Sequence, residues 1–327
     1  MSDAPLPPPP ALLAALDRPR EALLLGHVHP DADVLGTLLG LGLALEAGGA
    51  AVTWAGPHPV PAPLAFLPGA DRWQVWAAPP RRWDLVVMTD CPDPGRSEGL
   101  LEAARAPGGI VANIDHHPDN RRYGTIDWID PGAAAVGEMI YDLLLALSRP
   151  VTPEVALALF TAIHGDTGSF RYSNTTARTF RIAAALRQAG ADPALVADRL
   201  YQQRAPGTLH ELGAALARVQ VSPDGQLAWL ALPRGLVSER LIEAEDLVSY
   251  PRSLAGVKVA VLLRETGPGQ VKASLRGKGE VPVNRIARRF GGGGHANAAG
   301  CTVPGTLEEA TASLLAAVRE ALACAPP

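Results

Sequence analysis

The sequence predicts an α/β protein: a doubly wound, mainly parallel sheet joined by a helical connector to a smaller α/β domain. Three observations carry this. Short apolar runs of strand length recur through the first half, without the in-out alternation of a one-sided sheet. Helical patterns separate them, as in a sheet covered on both faces. Beyond residue 212 the order changes to strands paired through a Gly-Pro-Gly turn.

Taken in order, Ala22–Gly26 reads as the first strand and Asp33–Ala47 as its helix, stopped by Gly48-Gly49. Ala51–Ala55, Asp84–Thr89 and Gly109–Ile114 are further strands buried on both faces. Helices are expected over Ala133–Leu147, Pro153–Ile163 and Thr176–Ala189. The polar stretch Asp192–Leu212, broken by Ala205-Pro206-Gly207, is the connector. Then come strand Gln226–Leu232, helix Ser238–Leu247 and strands Lys258–Arg264 and Val271–Arg276, turned by Gly267-Pro268-Gly269. A helix over Asn284–Arg289, the run Gly291–Gly294 and a helix over Leu307–Leu322 complete the chain. The expected boundaries are 11–192 for the first domain, 193–212 for the connector and 213–323 for the second.

Composition narrows the class. The 327 residues are 47% apolar and 19% charged, as in globular proteins, and only 5% aromatic, which disfavours a nucleic-acid surface of stacked rings. Cys91, Cys301 and Cys324 are too few and too scattered for a disulfide framework, so a reducing compartment is expected. No run approaches the roughly 18 apolar residues that cross a bilayer. The start lacks a signal-peptide pattern, and Pro7–Pro10 reads as a stiff, disordered tail. A cytoplasmic protein without membrane contact follows. From Gly213 onward there are 13 Lys+Arg against 10 Asp+Glu, which leaves 16 against 23 before it. An acidic first half repels phosphates unless cations sit in it.

The acids and histidines fall where such a sheet collects ligands, beyond the strand ends. His27, Asp31 and Asp33 follow the first strand within seven residues, with Pro30 stiffening the turn. Alone, that pattern is equally a helix N-terminus whose acids complement the dipole. Its recurrence decides for metal binding. Asp90 ends a second apolar strand, Asp115-His116-His117 end a third, and Asp166 follows a helix.

Asp115-His116-His117, His27-x3-Asp31-x-Asp33, the strand-end Asp90 and Asp166-Thr-Gly together resemble the DHH phosphoesterase superfamily. Arg264, Ser274-Leu-Arg276 and Gly291–Gly300 resemble its C-terminal DHH-associated domain, in the form carried by NrnA-type oligoribonuclease/pAp phosphatases. The resemblance covers nearly the whole chain and implies an active site in the cleft between the domains. It implies that His27 and Asp31 hold one metal, that Asp33, His116 and Asp166 hold the other, and that Asp90 bridges both. Imidazole and carboxylate without thiolate fit two Mn²⁺ per chain, with Co²⁺ or Mg²⁺ as substitutes. Five crowded acids, Asp31, Asp33, Asp90, Asp115 and Asp166, also need such cations for charge compensation. His117 is the candidate to touch the scissile phosphate or protonate the leaving oxygen, with Asp115 orienting an imidazole.

The resemblance further implies a substrate loop at Gly292, Gly293, Gly294 and His295, whose amides approach an anion closely. Ser274 and Arg276 would clamp a terminal phosphate, and Arg171 would reach in from the first domain. Expected substrates are RNA or DNA oligonucleotides of two to five residues, linear dinucleotides and pAp. A homodimer is left open. His29 is expected to support the ligands rather than join them, His164 has no assigned role, and His58, His210 and Arg288-Arg289 read as surface. The rivals are a RecJ-like single-strand exonuclease, a cyclic-dinucleotide or pApA phosphodiesterase, and a non-enzymatic nucleotide-binding protein that keeps the fold.

Overall fold

The structure, a computed structural model, describes residues 6–203, 206–238, 247–278 and 281–324. It divides into two compact units, Met1–Gln203 and Arg204–Pro327. The helix expected over Ser238–Leu247 falls largely outside the described residues.

The first unit is built on a six-stranded sheet: β1 (Glu21–Leu25), β2 (Ala51–Gly56), β3 (Gln74–Val75), β4 (Trp83–Thr89), β5 (Arg105–Asp115) and β6 (Ile126–Ile129). Its spatial order is β3-β2-β1-β4-β5-β6, and every pairing is parallel. The chain winds outward from β1 to β3, then restarts at β4 on the other side. The crevice beyond the ends of β1 and β4 is therefore the topological switch point, where such sheets bind ligands.

Continuous apolar strands are explained by two covered faces. Leu24, Val87, Ala112 and Ile114 point into one core with the helices α2 (Ala32–Ala47), α4 (Val136–Ala146), α5 (Pro153–Asp166) and α6 (Ala177–Ala189). The intervening Leu23, Leu25, Val86, Met88 and Val111 pack on the opposite face against Leu100 and Leu101 of the short helix α3 (Leu100–Ala104). Winding is thus two-sided but uneven.

Helices α2 and α5 approach closely because Gly36 presents no side chain. A Cβ there would lie 2.4 Å from the Ala158 carbonyl oxygen and 2.9 Å from the Ala162 methyl. Gly36→Ala is expected to destabilise the unit by about 1–3 kcal/mol, because backbone must move to admit the methyl. A thermal midpoint equal to wild type would show that the two helices are not in rigid contact.

The sequence expectation of a disordered start is corrected. The Leu6 N–H donates to Asp130 (3.1 Å), and the Trp128 indole donates to the Leu6 carbonyl (3.2 Å). Helix α1 (Pro10–Asp17) buries Leu12 and Leu16 completely. Pro10 supplies a preset φ at the first turn, so the prolines lead into a docked helix rather than a free tail. Strand β6 was also missed, being short and only half buried. Helix α7 (Pro193–Tyr201) sets Val196 into the core of the first unit.

The second unit contains a mixed sheet of order β11-β12-β10-β9-β8-β7. The strands are β7 (Gln220–Val221), β8 (Leu227–Leu232), β9 (Val259–Gly267), β10 (Gln270–Gly277), β11 (Gly293–His295) and β12 (Ala298–Pro304). Helices Val283–Arg288 and Leu307–Ala323 cover one face through Val271, Ala273, Leu275, Ala299 and Cys301. Helix Pro206–Leu216 places Leu212 and Ala215 on the other face, over Ala228, Leu230, Ala260 and Leu262 of β8 and β9. The glycine run read as a loop is in part strand β11, and the unpredicted β12 beside it pairs with β10. Among the described residues, no helix is long and apolar enough to cross a membrane.

Candidate metal centre

The loop leaving β1 carries His27 and Asp31 into the switch-point crevice. His27 is fully buried, and its Nδ1 lies 2.7 Å from the Val28 carbonyl and 3.1 Å from an Arg96 Nη2. Its Nε2 is buried with no hydrogen-bond partner among the described residues. Asp31 is the N-cap of α2, with one oxygen accepting the amides of Asp33 and Val34 at 3.1 Å each.

Asp33, one residue into the first turn of α2, is 1% exposed. Its two oxygens accept the amides of Val136 (2.7 Å) and Gly137 (3.0 Å) at the start of α4. That helix has Ala135 at its N-cap and no capping side chain of its own, so Asp33 supplies the cap from 103 residues away. Asp90 follows β4 in the left-handed region, φ 52, and its N–H donates to the Ile114 carbonyl at 3.0 Å. For a non-glycine residue that conformation costs roughly 1–2 kcal/mol, which aspartate bears better than most.

From β5, His116 donates Nδ1–H toward the Ala133 carbonyl (3.0 Å) and turns Nε2 toward the acids. That Nε2 is 3.1 Å from Asp166, 3.4 Å from Asp90 and 3.9 Å from Asp33. His117 Nδ1 is 2.8 Å from Asp115, which also accepts the amides of His116 and His117 and an N–H of Asn120. Asp166 stands in the last turn of α5, not after it. Asn174 ties its carbonyl to that of Ala134, with bonds of 3.1 and 2.9 Å.

Donor atoms of His27, Asp31 and Asp90 lie within 4.8 Å of one another, as do those of Asp33, Asp90 and His116. Asp90 belongs to both groups. Hard oxygen and imidazole donors, a buried His27 Nε2 and a buried Asp90 Oδ1 without a normal hydrogen bond fit divalent cations.

The charge balance points the same way. Burial, reinforced by Asp31, pushes Asp90 up to about 7. Burial with Asp166 and Asp90 raises Asp33 far above the carboxylate range. Burial opposes charge on His116, yet Asp166 and Asp90 hold it well above its usual value. His117 is likewise opposed by burial and raised by Asp115 and Asp90. For Asp115 burial works upward, but His117 and Asn120 outweigh it and hold the carboxyl at about 2.

A pH dependence follows. Asp33, Asp90, His116 and His117 keep protons that the unfolded chain has released, so stability of the metal-free protein is expected to fall between about pH 6 and pH 8. His27, lowered to about 4 by burial and Arg96, acts in the opposite sense but only below its ordinary range. Divalent cations replace those protons, so they should raise the thermal midpoint more at the higher pH. Melting with Mn²⁺ or chelator at both pH values checks this. A metal-free midpoint that climbs over the interval would contradict it.

The remaining candidates are placed as follows. Arg171 is exposed, after a turn in which Gly168, Ser169 and Phe170 are all left-handed, and its Nε donates to the Gly168 carbonyl at 2.6 Å. In the second unit, strand register sets Ser274 beside Gly300 and Gly300 beside Gly293. The next row on the same face is Arg276, Ala298 and His295. Glycines floor this face between Ser274, Arg276 and His295. Gly292 admits no side chain, since a Cβ would lie 2.0 Å from the Gly300 carbonyl. Gly294 sits at φ 126.

His29 packs its ring edge-on against His58, with centroids 4.4 Å apart, so His58, which follows β2, packs on the loop after β1 rather than being plain surface. His164 is buried among Phe160, Phe170 and Tyr201, and burial with Arg171 lowers it to about 4. Sequence reasoning missed Arg96, Asn120, Asn174 and the Asp33 cap of α4. The uncapped start Ala133-Ala134-Ala135 was the one available signal, since a helix entry without a capping residue needs amide acceptors from elsewhere.

Residues 21–163 match the DHH family, N-terminal domain, and residues 242–323 match the DHHA1 domain. The chain belongs to the DHH family and is a metal-dependent phosphoesterase of that class. Within the family it is of the NrnA type. It is 38% identical over 299 residues to the bifunctional oligoribonuclease and PAP phosphatase NrnA of Thermus thermophilus, covering 90% of this chain and 88% of that one. The enzyme of the same name from Bacillus subtilis is 29% identical, over 86% of this chain and 88% of its own. The crystal structure of an exopolyphosphatase-related protein from Bacteroides fragilis matches with a TM-score of 0.83 at 25% identity, covering 94% of each chain.

Proposed function

We propose that the protein hydrolyses oligonucleotides of two to five residues to 5′-mononucleotides and removes the 3′-phosphate of pAp, in the cytoplasm, using two Mn²⁺ ions. The observation that carries this is Asp90, shared by two groups of donors that each converge within 4.8 Å. The names of the Thermus and Bacillus relatives support the substrate class.

In this reading His27 and Asp31 hold one ion, Asp33, His116 and Asp166 the other, and Asp90 both. When bound, such a pair activates water and neutralises charge on the phosphoryl oxygens. The chain's own residues do the rest. Asp115 fixes His117 through Nδ1, leaving Nε2 to give its proton to the departing 3′ oxygen as the bond to phosphorus breaks. Asp33 and His116 are held in place by the α4 amides and the Ala133 carbonyl. Ser274, Arg276 and Gly292 to His295 bind the substrate's 5′-phosphorylated nucleotide, and Arg171 adds a cation for the phosphate chain.

A substrate held by its 5′-phosphorylated end offers its first 3′-O–P bond, in pAp and oligomers alike. Oligomers labelled at the 3′ end, run with pAp and pApA in Mn²⁺, test the proposal. We expect the highest rates at two to five residues, with label released last. A long single strand processed equally fast, or early release of labelled mononucleotide, would overturn it, the first result favouring a RecJ-like exonuclease.

A further inference from the structure

Most ligand side chains at the centre are fixed by their own hydrogen bonds. His27 is set by the Val28 carbonyl, Asp31 by the α2 amides, Asp33 by the α4 amides and His116 by the Ala133 carbonyl. Asp90 is different. Among the described residues, its buried Oδ1 makes no hydrogen bond, and His116 Nε2 at 3.4 Å and His117 Nδ1 at 3.5 Å lie beyond the usual length. Its place must come from the main chain, which is left-handed at this residue and anchored on Ile114.

The residue before it supplies a second anchor. Thr89 is fully buried, and its hydroxyl lies 2.7 Å from that of Thr37, also fully buried, one turn past Asp33 on α2. The Thr37 proton goes to the Asp33 carbonyl at 2.6 Å. Thr89 is therefore the donor to Thr37, since Thr37 has a single proton. A chain of two hydroxyls thus runs from the main chain beside Asp90 to the main chain of Asp33. Buried hydroxyls are costly unless bonded, and valine would fill the same shape in this apolar interior.

We propose that the Thr89–Thr37 pair is a positioning device that sets the separation of Asp90 from Asp33, and with it the spacing of the two ions. This rests on the two-metal reading above. Breaking the pair releases the one carboxylate shared by both sites, so both ions weaken together. Loss of a ligand unique to one group would weaken one ion alone.

The test uses the full chain loaded with Mn²⁺. Calorimetric titration reads both affinities, and electron paramagnetic resonance reads the magnetic coupling of the ion pair, which reports their spacing. Thr89→Val is expected to weaken both ions by about ten- to a hundredfold and to change the coupled spectrum. Thr89→Ser, which keeps the hydroxyl, restores both. Wild-type affinities and spectrum in Thr89→Val, or failure of serine to restore them, would overturn the proposal. Should Thr89→Val lose its circular dichroism, Thr37→Val cuts the same bond from the helix side and is judged by the same readings. A wild-type chain that binds fewer than two ions overturns the two-metal reading and this inference with it, and that failure is visible before any variant is made.

Discussion

Asp90→Ala is expected to lower kcat/KM on pAp and on pApA by on the order of 10³-fold or more, the largest loss of any single substitution. In the proposed reading every other ligand serves one ion, whereas Asp90 belongs to both the donor group that contains His27 and the one that contains Asp33. The substitution therefore removes a carboxylate from each ion at once. Alanine bears the left-handed backbone at this position less well than aspartate does, so the substitution gains no stability from the main chain. It does remove a carboxylate whose burial beside Asp31 makes its charge unfavourable without cations, so the metal-free variant is expected to melt close to wild type despite being inactive. Metal content should fall with activity. An Asp90→Ala chain that turns over pAp at the wild-type rate would mean that catalysis lies elsewhere.

His117→Asn is expected to lower kcat by about a thousandfold on natural nucleotides while leaving both ions bound. His117 converges with Asp90 and Asp115 rather than with His27 or Asp33, and its Nδ1 is committed to Asp115. In the proposed mechanism its role is proton delivery to a poor leaving group. A p-nitrophenyl phosphoester leaves without that proton, so the loss on such a substrate should be far smaller. Equal losses on both substrates would instead assign His117 to holding the phosphate.

Much of the site was legible because the physics that builds a parallel sheet also aligns its ligands. Apolar strands buried on both faces stand out by composition; Asp90 directly follows one of them and Asp115 is the last residue of another. The helix α2 and its stop at Gly48 were equally local, since cap and glycine lie beside the pattern they end. Strand β12 was not legible. Ala298-Ala-Gly-Cys-Thr-Val-Pro304 has the small residues of a turn, and its extended form is set by pairing with β10, a tertiary fact. The prolines before α1 misled for a related reason, because their docking depends on Asp130 and Trp128, more than 100 residues away.

The supports of the ligands were hidden for the same cause. Thr37, Thr89, Asn120 and Asn174 are ordinary polar residues in their local context. Only the fold brings Asn120 to Asp115, Asn174 to the Asp166 carbonyl, and the two threonines to each other. Sequence spacing shows which residues can hold a cation. It does not show what holds those residues.

The most direct test of the two-metal account is to count ions against turnover. Chelated protein is titrated with Mn²⁺ while bound metal and pAp hydrolysis are measured together. The account predicts no turnover in the stripped chain, little with one ion bound, and full turnover only as the second is filled. Full turnover with a single ion per chain, or with none, would contradict it.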